Sequence, residues 1–199
     1  MKHLVQILSI ALIAFTLHAK TLNDMDGRPV ILPDQTDRVF GSSPPMNYLL
    51  YTLNPYKMIG LNFKARNPNN SADEQFLTKR FLSLPVIGSF HGGGQSINLE
   101  TLMKYKPQLV LVWQDDMLVQ TVAKEIEKTA IPSYMIPFRH IDDMPRAFRL
   151  AGNAIGERKR GETLAAYSEK IIKDVQKSVS KTKPVRYYYA EGLDGLSTE

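Results

Sequence analysis

The stretch of this sequence closest to a catalytic device is His91-Gly92-Gly93-Gly94, because a glycine run can expose backbone N–H groups to the negative charge developing on an acyl oxygen. A hydrolase of that kind also needs a nucleophile elbow, G-x-S-x-G, between a strand and a helix, and no such pentapeptide occurs. Without it, the glycines read as a loop whose backbone can approach another surface closely. Cys 0 removes disulfides, thiolate metal sites, iron–sulfur clusters and cysteine nucleophiles together. No Walker A sequence occurs and no G-x-G-x-x-G follows a strand, so nucleotide phosphates have no evident cradle. Past residue 19 the only histidines are His91 and His140, with no H-E-x-x-H pair. Two readings of His91 stand: an exposed loop residue, or the best single metal ligand of the chain. His140, beside Arg139, reads as a solvated loop residue.

Basic residues are scattered. Arg158, Lys159 and Arg160 read as a solvated helix face, whereas Lys64 and Arg66 follow a strand, where open α/β proteins bind ligands. The formal charge of +5 is modest and few aromatics interleave with it, which argues against nucleic-acid binding. Trp113, the one Trp, either ends a strand facing a cleft or packs in the core.

The elements that would position these groups alternate. Hydrophobic content of 43% over 199 residues suffices for a core and excludes general disorder. Lys2 and His3 precede a mainly apolar stretch, Leu4 to Leu17, with Ala19 just before Lys20: the order of a cleavable signal over residues 1–19, too short to span a bilayer comfortably. No cysteine follows it to carry a lipid anchor, so the expected destination is the periplasm. Asp26-Gly27 reads as a turn into an edge strand ending at Pro33, and Arg38 to Phe40 as a buried strand. Pro44 and Pro45 open a helix with Met46, Leu49, Leu50 and Leu53 inward. A strand is expected over 57–61, a polar loop over 62–71, a helix over 72–81 and a brief strand over 86–88. Asn98 caps a helix with Leu99, Leu102 and Met103 inward. Leu109 to Trp113 is a continuous apolar strand, as expected when both faces are covered, and Asp115 or Asp116 starts the next helix. A strand follows over 133–137. The predicted fold class is therefore α/β: a parallel-sheet lobe over 20–142 with helices on both faces.

Residues 143–182 form a connecting helical segment: a helix capped by Asp142 or Asp143, then a long amphipathic one with Leu164, Tyr167, Ile171, Val175 and Val179 along one face. Val185 to Ala190 reads as a new strand. Residues 183–199 are then the start of a second lobe, and the chain is expected to be one lobe with its connector.

The run Asp26-Gly27-Arg28-Pro29-Val30-Ile31-Leu32-Pro33, then Pro85-Val86-Ile87-Gly88, then Ile97-Asn98-Leu99-Glu100-Thr101-Leu102 with Lys106-Pro107-Gln108-Leu109-Val110-Leu111, resembles the periplasmic binding proteins that deliver ferric siderophores, haem, cobalamin and related metal chelates to ABC importers. The resemblance covers the first lobe and the connecting helix. It implies two lobes joined by a rigid helix, a chelate held between them, and no enzymatic activity. It further implies that Glu100 docks on the inner-membrane permease, although a first-turn Glu favoured by the helix dipole is the plain alternative. Trp113 matches a cleft-facing aromatic of cobalamin-binding relatives. Loop position adds Ser42, Ser43 and Met46, then Asn62, Lys64 and Arg66, then Phe90, His91 and Gln95, with Gln114 beside Trp113.

The ligand class implied is an iron chelate, with a nickel or cobalt complex touching His91 as the alternative, and no intrinsic cofactor. A monomer is expected. An exported hydrolase and a free-ion metallochaperone are the readings from other classes.

Overall fold

In the computed structural model the described residues are 19–64, 77–90, 99–113, 124–136 and 139–190. The chain opens with an antiparallel hairpin, β1 (Ala19–Asn23) paired with β2 (Pro29–Pro33). Its turn is tied by Asp24, whose carboxylate accepts from the backbone N–H of Asp26 and Arg28 at 3.1 and 3.0 Å and from Arg28 Nε at 3.0 Å. Gly27 supplies the positive φ, +76°, that the reversal requires. Along β2, Val30 and Leu32 are buried while Ile31 faces out, the period of a strand with one covered face.

Three parallel strands, β3 (Val39–Gly41), β4 (Leu109–Trp113) and β5 (Ser133–Ile136), lie side by side in that order. Leu109 and Leu111 of the central strand join one core, with Leu50 of α1 (Pro44–Leu53) and with Phe148 and Ala151 of α4 (Met144–Ala154). Val110 and Val112 point into a second core with Phe40, Ile87, Ile126 and Leu102 of α3 (Leu99–Lys104). The alternation places helices on both faces of the sheet, which is why β4 reads as unbroken apolar sequence. Between α1 and α3 lies α2 (Lys79–Leu82), capped by Thr78. α5 (Arg158–Val179) closes the described architecture; its 22 residues span about 33 Å. It crosses α4 at two glycines. A Cβ on Gly152 would lie 2.9 Å from Gly161 Cα, and one on Gly161 would lie 2.5 Å from the Phe148 carbonyl oxygen.

Several expectations change. Residues 57–61 are not a strand: Pro55–Lys57 is a 3₁₀ turn, and the segment makes only isolated parallel bridges, Met58 to Val39 of β3 and Leu61 to Val86. The last bridge is also all that remains of the strand expected at 86–88. The helix expected over 72–81 is described only from Lys79, and residues 72–76 lie outside the described residues. Met103 is half exposed rather than inward, because a six-residue helix presents too narrow a face to bury both it and Leu102. On α5 the expected apolar face is real, but Tyr167, Ile171, Val175 and Val179 are solvent-exposed, and burial is confined to Gly161 and Ala165 at the crossing. Residues 185–190 carry no strand and are exposed. A strand needs an edge to pair with. Neither sheet among the described residues takes this segment in.

Candidate ligand site at the strand ends

The C-terminal ends of β3 and β4 are tied together by one residue. Ser42 donates its N–H to Leu111 O at 2.9 Å, accepts Phe90 N–H on its carbonyl at 2.9 Å, and accepts Trp113 N–H on its hydroxyl oxygen at 3.2 Å. Ser89 Oγ also donates to the Ser42 carbonyl, at 3.4 Å. Asn62 makes a second knot beside the first. Its Nδ2 donates to Gly41 O at 2.9 Å and Gly88 O at 3.0 Å, while its Oδ1 accepts from Asn47 Nδ2 at 2.6 Å. Gly41 lies against α1, where a Cβ would come within 2.7 Å of both Asn47 N and Asn47 Oδ1, so a side chain at that position would push the helix off the sheet.

These knots fix the start of α1, whose first two residues are prolines that need no N–H partner. Ser43 is the cap residue, yet its hydroxyl makes no capping bond and, like Asn47 Oδ1, is buried with no hydrogen-bond partner. Pro45 explains part of this, since at the second helical position it removes one of the two amides an N-cap side chain would ordinarily meet.

The candidates read from sequence separate here. Ser42 and Asn62 are buried parts of the floor, and Met46 is wholly buried under α1 in the first core. Trp113 is half-buried at the end of β4 and packs on the first core. Phe90 is half-buried against the second core. Lys64 is exposed and, with Asn47 and Asn62, contributes the polar part of a half-open recess of about 160 Å³ whose other lining residues include Tyr48, Phe63 and Phe81. Arg66, His91, Gln95 and Gln114 lie outside the described residues, as does the Gly-rich run. Glu100 is exposed in the first turn of α3. Sequence reasoning missed Tyr48 and Phe63: Tyr48 falls on the outward side of α1 and Phe63 stands alone between polar neighbours, so neither belongs to a recognisable pattern. Among the described residues no group of three or more His, Asp or Glu could hold a metal ion.

Away from the strand ends, Asp143 accepts the N–H groups of Arg139 and His140 at 2.9 Å each, and these donors hold its carboxyl below the usual carboxylate range. Tyr134 donates to Asn23 O at 2.7 Å; burial, helped by the nearby Asp24 charge, pushes its phenol up to about 12. Arg149 of α4 joins Glu162 and Glu169 of α5 at 2.8 and 2.7 Å, holding both carboxyls below their ordinary values.

No family model matches the sequence, and no curated protein matches it. Solved structures do match. An ABC transporter solute binding protein from Sulfurospirillum deleyianum superposes with a TM-score of 0.81 at 30% identity, over 90% of this chain and 56% of that one. The molybdate periplasmic binding protein MolA of Haemophilus influenzae gives 0.63 at 20% identity, over 86% and 58%. The heme binding protein HmuT gives 0.58 at 19% identity, over 88% and 54%. The chain spans about half the length of these proteins, and its fold is that of the corresponding part of periplasmic solute-binding proteins of ABC transporters. The names these matches carry are those of binding proteins, not enzymes.

Proposed function

We propose that this chain is the ligand-capturing lobe and connector of a substrate-binding component that feeds an ABC importer, with a metal chelate as cargo. The observation that carries the reading is the rigid floor at the ends of β3 and β4, built by Ser42 and Asn62, in a fold 30% identical to a solute binding protein of such a transporter. A floor held by buried hydrogen bonds is preorganised, so ligand contact need not order it. Residues 20–142 are read as one wall of a cleft, 143–182 as the strut and 183–199 as the start of the opposite wall. A chelate is favoured over a bare ion because the chain past residue 19 offers only two histidines and no cysteine. Iron is the favoured metal.

Glu100 is proposed to meet a basic group of the permease. It stands exposed in the first turn of α3. Residues 1–19 are proposed to direct export to the periplasm, with the processed chain beginning at Lys20.

The test is to titrate Trp113 fluorescence with hemin, cobalamin, ferric siderophores, nickel–histidine and molybdate. Saturable quenching by one chelate, unaffected by Glu100→Lys, supports the reading. The same substitution should weaken association with vesicles carrying the cognate permease. Failure of every chelate to bind at micromolar concentration would sink it.

A further inference from the structure

Beside the strand ends, the recess under the first turns of α1 has a lining whose chemistry is specific. Tyr48, Phe63 and Phe81 contribute aromatic faces, Leu61, Leu77 and Pro44 contribute aliphatic surface, and among the described residues Lys64 is the cation of the lining. Phe81 is held in place: its ring meets Tyr51 edge-on, with centroids 4.9 Å apart and planes at 77°. The recess therefore has a fixed aromatic wall on one side, while Tyr48, 69% exposed, stands at its edge.

Size narrows the occupant. An apolar cavity of about 150 Å³ accepts one benzene molecule, and this recess measures about 160 Å³. A single six-membered ring fits; a tetrapyrrole does not. Aromatic walls favour an aromatic over an aliphatic ring through edge-to-face and offset contacts, and the lysine favours an anionic oxygen on that ring.

We propose that this recess is a subsite for one aromatic ring carrying an anionic oxygen, an arm of a ligand whose remainder lies over the ends of β3 and β4. The inference rests on the receptor reading for the location of that remainder, and adds the chemical identity of one part of the cargo.

The test uses four small probes on this chain, followed by ligand-observed NMR: benzoate, cyclohexanecarboxylate of the same charge, neutral benzamide, and acetate. Benzoate should bind saturably in the millimolar range. Loss of aromaticity should weaken binding about two- to tenfold, loss of charge by up to about fivefold, and acetate should not saturate. Tyr48→Ala should weaken benzoate at least threefold, and Lys64→Met should abolish the preference for benzoate over benzamide. Both positions are exposed, so these variants should keep the wild-type urea midpoint. Independently of any variant, ring protons of bound benzoate should show nuclear Overhauser contacts to Leu77 methyls and the Phe81 ring. Benzoate binding no better than acetate, or contacts only to other residues, would overturn the subsite. Benzoate binding with no chelate bound would keep the subsite and remove the receptor reading. A chelate that binds, with benzoate that does not and with Tyr48→Ala silent, would do the reverse.

Discussion

Asn62 shows how a residue can be placed correctly by sequence and still have its duty misread. Its position after a strand end made it a contact candidate, and the structure does put it on the lining of the recess. Yet both hydrogens of its amide and its carbonyl oxygen are engaged inside the protein. Asn62→Ala would strand the Gly41 and Gly88 carbonyls and the Asn47 amide, so a loss of about 1–3 kcal/mol is expected from urea unfolding. Tyr134 carries a pH signature. Because its folded-state value is raised to about 12 from 10.0, its contribution is complete below pH 10 and is lost as pH rises through that interval. The urea midpoint should therefore fall across that range, and Tyr134→Phe should flatten the decline while costing about 1 kcal/mol at neutral pH. None of this was legible in advance, since burial and hydrogen-bond partners at long sequence separation leave no local pattern. The prolines opening α1 and the inward Leu49, Leu50 and Leu53 were legible, because they act within one helix.

At the level of elements, strong periodicity was a good guide. β3, β4, β5, α1 and α4 fall where apolar spacing put them. The failures were short segments. Residues 57–61 have strand-like composition but make isolated bridges, since a neighbour with only one pairing position cannot extend a ladder. β1 was missed because its sequence directly follows an apolar stretch and its partner is revealed only by pairing. The α4–α5 crossing was invisible too, because no local pattern marks Gly152 and Gly161 as a pair. Gly161→Ala should force the helices apart and cost about 1–3 kcal/mol as an overpacking change, read as a lowered melting temperature. The Arg149 link to Glu162 and Glu169 supports the same crossing. Its contribution is present above the ordinary Glu range and is lost as pH falls through the lowered values, and salt should screen it.

On the scale of the molecule, the α/β class could be argued from strand and helix alternation, and the comparisons give the same fold for about half of a solute-binding protein. The identity of the cargo could not, because recognition depends on side chains from several loops. The exposed row of Tyr167, Ile171, Val175 and Val179 on α5 leads to a simple expectation. The chain should bind an apolar fluorescent dye while folded, and Ile171→Glu with Val175→Glu should reduce that signal without lowering the melting temperature.

The two glycines let α4 and α5 meet with no layer of side chains between them, and Arg149 ties the following two turns of α5 through Glu162 and Glu169. A helix gripped over several successive turns has no single point to turn about. The pair should therefore travel as one body, and whatever the far end of α5 carries inherits its bearing from the sheet.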